Sequence, residues 1–78
     1  MQVKVRYFAA LREWRGRDDE LVDIEEELTV EALYHRLIPA REGRRLPVMY
    51  AVNLCYAPAS QVLCAGDEVA FIPPVGGG

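Results

Sequence analysis

The groups best suited to chemistry in this sequence are the C-terminal carboxylate and the three glycines that carry it, Gly76, Gly77 and Gly78. Glycine has no Cβ, so its backbone can enter a channel that is too narrow for other residues. A carboxylate on such a segment can be activated as an acyl group in another protein's active site. The alternative is a frayed chain end or a remnant of cloning, because chain termini are commonly disordered.

The segment before the glycines favours the first interpretation. It is an apolar stretch, residues 69–75, and it contains Pro73 and Pro74. Proline fixes φ and favours an extended, polyproline-like course, which directs the tail away from the body of the protein. We therefore predict a folded domain over residues 1–75 and a flexible glycine tail over residues 76–78.

The side chains offer no catalytic set. We expect His35 to lie on the solvent face of a helix, and no serine or cysteine has an evident basic partner. The acidic runs at 18–20 and 25–27 are expected to be solvated. We therefore do not expect them to act as catalytic acids or bases, because a perturbed pKa requires burial. The arginines of residues 40–47 either contact a partner or an anionic ligand or, as is more common for such a run, are simply solvated.

The two cysteines, Cys55 and Cys64, match neither a Cys-x-x-Cys pair nor the spacing of a metal-ligand set. With a single histidine in the chain, the sequence predicts no metal site. We expect both thiols to be buried and inert in a reducing compartment, since free cysteines are usually core residues. A redox or sulfur-relay role for either thiol is an open alternative.

Composition and charge limit the class of protein. The chain has 78 residues, 51% of them hydrophobic, which suits one small domain near the lower limit of independent folding. Its net charge of −3 provides no basic footprint for a nucleic acid. No apolar run approaches the roughly 18 residues that span a membrane, and the N-terminus lacks the apolar region of a signal peptide. We expect a cytoplasmic protein that binds neither nucleic acid nor membrane.

Hydrophobic periodicity predicts the elements that carry the tail. Four strands are predicted, at residues 2–8, 21–26, 48–54 and 69–72. A helical turn over 9–15 follows the first strand, and Gly16 ends it. The main helix begins after the N-cap Thr29, and Pro39 stops it. Residues 40–47 are predicted to be a loop, and residues 55–64 to be irregular with at most a short edge strand.

One amphipathic helix packed on one face of a small sheet would bury the apolar residues of all these elements. The first strand should pair with the second. The last strand is apolar on both faces, so it should be central and lie beside the first. The predicted fold is α+β, a ubiquitin-like β-grasp with a mixed sheet of four to five strands and one main helix on one face.

The face of the sheet away from the helix carries the predicted docking surface. Parity places Phe8 on the polar face of the first strand, beside Ala70 and Ile72 of the last. The chain has no spare helix to cover them, and an uncovered apolar patch usually marks a protein interface. The predicted interface comprises Phe8, Ala70, Phe71, Ile72, Pro73, Pro74 and Val75.

The sequence resembles the small, sulfur-carrying subunits of molybdopterin synthase, within the ubiquitin-like sulfur-carrier superfamily. The similarity runs through the whole chain, in residues 5–13, 29–33, 51–53 and 66–78. The closing Phe-Ile-Pro-Pro-Val-x-Gly-Gly is the discriminating motif, because the carriers of thiamine biosynthesis share much of the rest.

The resemblance implies a covalent carrier that is itself not catalytic. A ubiquitin-activating-like adenylyltransferase would use ATP to convert the Gly78 carboxylate to an acyl-adenylate, and a sulfurtransferase would supply the sulfur of a C-terminal thiocarboxylate. The large catalytic subunit of a heterotetrameric synthase would receive the glycine tail, Gly76 to Gly78, in its active site. There the sulfur passes to cyclic pyranopterin monophosphate in molybdenum cofactor biosynthesis. No cofactor is expected to stay bound to the carrier.

Two alternatives remain open. A related carrier could serve thiamine synthesis, tRNA thiolation or cysteine synthesis, or could be a ubiquitin-like modifier that is conjugated to lysines. A protein of a different class, a β-grasp interaction module, would have an inert tail. Deletion of Gly77 and Gly78 separates the two classes, because only the interaction module would keep its function.

Overall fold

The structure is a computed structural model that describes residues 1–74. The predicted boundary at residue 75 and the predicted flexible tail over residues 76–78 lie outside the described residues. The elements in chain order are β1 (Gln2–Tyr7), α1 (Ala10–Arg15), β2 (Asp19–Asp23), α2 (Val30–Leu37), β3 (Met49–Val52), β4 (Cys55–Ala57) and β5 (Glu68–Ile72). In this part of the chain, neither helix has the length and apolar character needed to cross a membrane.

The five strands form one mixed sheet in the order β2-β1-β5-β3-β4. β1 pairs antiparallel with β2 and parallel with β5, and β3 pairs antiparallel with both β5 and β4. The predicted pairing of the first two strands and the central place of the last strand are therefore confirmed. Because β1 and β5 run in the same direction, Phe8 and the chain after Ile72 lie at the same end of the sheet.

The core lies between one face of the sheet and α2. Alternation along β1 buries Val3, Val5 and Tyr7, while β5 contributes Val69 and Phe71 to the same face. The helix adds its own apolar side, which consists of Val30, Leu33, Tyr34 and Leu37. The apolar side of α2 faces the buried side chains of β1 and β5, so a single helix is sufficient to cover the sheet on this side.

The main helix begins and ends where the sequence predicts. The Thr29 hydroxyl accepts a hydrogen bond from the Ala32 N–H at 3.2 Å, which satisfies one of the free donors of the first turn. Glu31 in that turn suits the positive end of the helix dipole. The helix ends at Leu37, with Ile38 as the C-cap and Pro39 directly after it.

Two strands differ from the prediction by more than one residue. β2 covers Asp19–Asp23 rather than residues 21–26, because its pairing with β1 runs from Gln2 opposite Asp23 to Arg6 opposite Asp19. The predicted strand at 48–54 ends at Val52, since Asn53 and Leu54 both adopt positive φ, 53° and 69°, and turn the chain into β4. Both changes move an element's end without altering the order of strands.

We predict that Phe71→Ala lowers the free energy of unfolding by about 3–5 kcal/mol, because it removes a fully buried ring from the core. That is a large part of the roughly 5–15 kcal/mol that stabilises a domain of this kind. Urea denaturation followed by circular dichroism measures the change. Ala70→Ser, one residue earlier and on the opposite face, is the control and should stay within about 0.5 kcal/mol of the wild type. Equal losses in the two variants would contradict this assignment of faces.

Candidate functional site

The open face of the sheet, on the side away from α2, has small residues at its centre. One row of neighbouring residues crosses four strands in register: Arg6, Ala70, Ala51 and Tyr56. The two alanines are directly paired between β5 and β3, with larger side chains on either side of them. Since alanine reaches only to its Cβ, the sheet surface is lowest along this pair.

A depression of about 250 Å³ lies over the two alanines. We call it the alanine groove; its lining consists of Phe8, Ala51, Leu54, Tyr56, Glu68, Ala70 and Ile72. Its large apolar residues are well exposed, with relative exposures of 44% for Phe8, 71% for Tyr56 and 87% for Leu54. β5 passes along it from Glu68 to Ile72, a length of roughly 13 Å.

The rim of the groove is charged on the side of β1. Arg6 and Glu68 form an ion pair at 3.7 Å, and both side chains are partly exposed. An exposed pair of this kind adds little to stability, but it keeps the edge of the apolar surface hydrated. An apolar centre with a polar rim is the usual anatomy of a protein–protein interface.

The structure brings part of the predicted interface together. Phe8, Ala70 and Ile72 line the groove, as their parity in the strands requires. Pro74 is exposed at the end of the described chain. Val75 and the glycines Gly76, Gly77 and Gly78 lie outside the described residues.

Phe71 does not belong to the exposed surface. It is fully buried, and its ring centroid lies 4.9 Å from that of Tyr34 on α2. Pro73 is buried as well. Their side chains face the core, so they correct the predicted interface: these two residues hold the root of the tail in place and offer no side-chain surface to a partner.

Four further groove residues are not among those predicted from the sequence: Ala51, Leu54, Tyr56 and Glu68. Ala51 and Tyr56 join the groove through the pairing of β3 with β5 and β4, which periodicity along one strand does not reveal. Leu54 lies in the turn between β3 and β4. The only local signal was the two-residue interval Asn53-Leu54 between two apolar runs, which suggests a hairpin.

The expectation of buried cysteines is wrong, since both Cys55 and Cys64 are exposed. Cys55 begins β4, an edge strand, and Cys64 is exposed directly after the buried Leu63. The Cys64 N–H bonds to the Asp67 carboxylate at 2.7 Å. Among the residues that the structure describes, no cluster of histidine, cysteine or acidic side chains has the form of a metal site.

The arginine-rich loop contains a small hairpin. Arg41 and Arg44 pair through two backbone hydrogen bonds of 2.8 Å, and the Arg41 guanidinium lies 4.5 Å from the centroid of the Trp14 ring. Within residues 1–74, the ion pairs involve neither of them nor Arg45. His35 is exposed, as predicted. Arg41, Arg44 and Arg45 are all exposed.

A polar cluster fixes the segment that presents Phe8. The Tyr7 hydroxyl donates a hydrogen bond of 2.6 Å to the Glu20 carboxylate, which also accepts one of 2.7 Å from Arg15. Burial and the bond to Glu20 raise the pKa of Tyr7 well above its ordinary value. The bond from Arg15 holds the pKa of Glu20 below its ordinary value, against the opposing effect of burial. The cluster therefore ties β1, α1 and β2 together on either side of Phe8.

The lowered pKa of Glu20 predicts a pH dependence. A carboxyl group whose pKa is depressed by folding contributes stability above its unfolded pKa, and that contribution is lost as the pH falls through the folded pKa. We expect Glu20→Gln to be less stable than the wild type near neutral pH, with the difference shrinking as the pH falls below the ordinary value of 4.5. Urea denaturation between neutral and acidic pH measures it, with the exposed Glu26→Gln as control. A difference that does not change with pH would contradict the role of the Glu20 charge.

The chain matches the model of the ThiS family over residues 5–78. It belongs to the ThiS family. Two curated relatives are molybdopterin synthase sulfur carrier subunits. The one from Mycobacterium tuberculosis is 40% identical over 82 aligned positions and is covered to 99%, with all of this chain aligned. The one from Chlamydomonas reinhardtii is 35% identical, with both chains covered completely. The resemblance to this branch, predicted from the sequence, is confirmed.

Solved structures confirm the β-grasp fold. Small archaeal modifier protein 1 from Haloferax volcanii matches with a TM-score of 0.78 and 25% identity, over 95% of this chain and 98% of that one. A putative molybdopterin converting factor subunit 1 from Pyrococcus furiosus has a TM-score of 0.76 and 30% identity, over 96% and 99%. A complex of subunits 1 and 2 of the molybdopterin-converting factor from Helicobacter pylori contains the same fold, at a TM-score of 0.62 and 22% identity over the full length of both chains.

Proposed function

We propose that this chain is the sulfur-carrier subunit of a molybdopterin synthase. The observation that carries the proposal is the full-length similarity to curated carriers of that kind, at 32–40% identity. In this proposal the Gly78 carboxylate is adenylated and converted to a thiocarboxylate, which donates its sulfur to cyclic pyranopterin monophosphate. The alanine groove is the surface that docks on the large catalytic subunit.

The chemistry at Gly78 requires activation, because a carboxylate is a poor acyl electrophile. With an ordinary pKa of about 3.3–3.7, the C-terminal carboxyl group is ionised at neutral pH. Its oxygen attacks the α-phosphate of ATP and releases pyrophosphate, which leaves an acyl-adenylate. A sulfur nucleophile from the sulfurtransferase then attacks the acyl carbon and displaces AMP. When that nucleophile is a persulfide, the product is an acyl disulfide; a thiol then attacks the sulfurtransferase's sulfur, forms a new disulfide with it and releases the thiocarboxylate.

The arrangement of β5 supports this use of the tail. Phe71 is packed in the core and Ile72 lines the groove, so one strand connects the fold, the docking surface and the start of the tail. Docking at the groove would fix where residues after Pro74 begin relative to the partner. Such positioning replaces a free search of the tail for the reacting centre, and it can supply a large part of a rate enhancement.

The partner is proposed on the same basis. The Helicobacter pylori chain that shares this fold is found in a complex of subunits 1 and 2 of its factor. The large subunit would receive the tail and supply the catalytic side chains. The adenylyltransferase and the sulfurtransferase are required by the chemistry of activation, since the carrier has to be adenylated and sulfurated before each transfer.

Intact-mass measurement tests the carrier chemistry. We expect the purified chain, incubated with an adenylyltransferase of this class, ATP and a sulfur source, to exchange one oxygen for one sulfur. Fragmentation should locate the sulfur on Gly78, and deletion of Gly77 and Gly78 should abolish the change. An unchanged mass of the full chain, with an enzyme that modifies a known carrier in the same assay, would contradict the proposal.

Filling the groove tests docking separately from the tail. We expect Ala70→Glu to weaken binding to the large subunit at least about 100-fold, because it replaces the floor of an apolar surface with a charge. Arg6 lies directly beside position 70, so the new carboxylate should be tolerated by the fold.

Leu21→Glu is the matched control for this variant. It also introduces a carboxylate beside a basic residue, Lys4, but on the edge strand β2 and outside the groove. Isothermal titration calorimetry measures both affinities, and circular dichroism checks both folds. Equal binding by the two variants would contradict docking at the groove.

A second candidate is a ubiquitin-like modifier, since small archaeal modifier protein 1 shares the fold over nearly the whole chain. A modifier would form an isopeptide bond between Gly78 and a lysine of another protein. The product formed after activation distinguishes the two functions. A carrier yields the thiocarboxylate, whereas a modifier yields branched conjugates that contain the C-terminal glycine on a lysine.

A further inference from the structure

The turn between β3 and β4 has an unusual composition. Val52 pairs with Cys55, so Asn53 and Leu54 form a two-residue hairpin loop. Their φ angles are 53° and 69°, both in the left-handed region, which is the pattern of a type I′ turn. Asparagine is common at the first position of this turn, and glycine is strongly preferred at the second. A leucine therefore occupies the position where a side chain is least favourable.

Packing within residues 1–74 does not account for the leucine. Its side chain is 87% exposed, the largest exposure among the large hydrophobic residues of the described chain. It therefore gains little from packing that would offset a left-handed backbone, which a non-glycine residue adopts only at a cost. Backbone strain that serves no packing purpose is concentrated at functional sites, where a partner makes use of it.

The turn is also held rigidly. The Asn53 side chain donates a hydrogen bond of 3.0 Å to Asp67 and accepts one of 2.9 Å from the Glu68 N–H. Its own N–H bonds to the Glu68 carbonyl at 2.8 Å. These bonds connect the turn to the start of the central strand β5. Leu54 is thus presented in a fixed position, despite its exposure.

Leu54 stands at one end of the alanine groove, and Phe8 stands at the other. β3 and β5 are antiparallel, so the end of β3 lies beside Glu68, whereas Phe8 lies towards Ile72. Both residues line the same depression. A partner that covers the groove would therefore have to cover Leu54 as well.

We infer that Leu54 is a preorganised docking anchor, whose side chain inserts into an apolar pocket of the large catalytic subunit. The inference rests on the proposed function, which supplies the partner, and it adds a specific residue to the interface. The strained turn persists because a glycine or an asparagine at position 54 would relax the backbone and leave no anchor. Stability of the free chain and affinity for the partner should then respond to position 54 in opposite directions.

The test compares Leu54→Gly with the wild type in two measurements. Glycine adopts positive φ without penalty, so the melting temperature of the free chain should rise, by about 4 °C or more for a domain of this size. The dissociation constant for the large subunit should rise roughly tenfold or more, because an exposed apolar side chain no longer becomes buried on docking. A variant that is more stable and binds more weakly is the expected result.

Two further variants separate the backbone from the side chain. Leu54→Ala removes the anchor but keeps a Cβ at positive φ, so it should bind as weakly as Leu54→Gly without the gain in melting temperature. Leu21→Ala truncates another exposed leucine, 66% exposed on β2, and should leave binding unchanged because it lies outside the groove.

Several results would overturn the inference. If Leu54→Gly binds the large subunit with the same affinity as the wild type, the anchor is refuted and the proposed function is left intact. Weaker binding without a rise in melting temperature would refute the strain. An effect confined to the adenylyltransferase, with unchanged affinity for the large subunit, would assign Leu54 to a different partner and refute the inference as stated. Failure of the wild type to bind the large subunit would overturn the proposed function together with the anchor.

Discussion

The packing of Phe71 against α2 determines how the rest of this molecule is arranged. The ring lies 4.9 Å from that of Tyr34, and β5 is held between β1 and β3. Since side chains alternate along a strand, fixing Phe71 inward also directs Ala70 and Ile72 outward. One contact thus decides which residues build the core and which form the floor and end of the groove. It also anchors the chain just before the tail, so the position of the tail's root depends on the same packing.

The two faces of the sheet differ in what covers them. On the inner face, large buried side chains pack against the helix. On the open face, Ala51 and Ala70 lie at the centre while Tyr56 and Phe8 stand higher at the edges. Within residues 1–74, the longer helix α2 is packed against the core and therefore does not cover that face. Under the proposed function, the large subunit supplies the missing layer, and the shape left by the alanine pair determines where it fits.

Much of the fold could be predicted because the signals were local. Alternation in residues 2–8 and the cap at Thr29 each identify an element without knowledge of its neighbours. The same alternation that predicts Ala70 and Ile72 on the open face implies that Phe71 points inward, so the predicted interface wrongly includes its side chain. The turn at Asn53 and Leu54 has only a weak local signal, because glycine rather than leucine is the usual second residue of such a turn; the pairing of Val52 with Cys55 shows that the chain reverses there. The exposure of Cys55 follows from the same reversal, which places it on an edge strand.

A carrier of this design has to balance two costs. Ordering the backbone of a glycine tail in a narrow channel costs about 1–2 kcal/mol per residue, and glycine loses more freedom than any other residue. Under the proposed function, docking at the groove has to offset that cost, and the complex has to dissociate after each transfer so that the tail can be activated again. A rigid, preformed surface meets both demands, because it needs no further ordering when it binds and can therefore remain small. The clamp of Asn53 by Asp67 and Glu68 serves this purpose, since it removes in the free protein the flexibility that binding would otherwise have to remove.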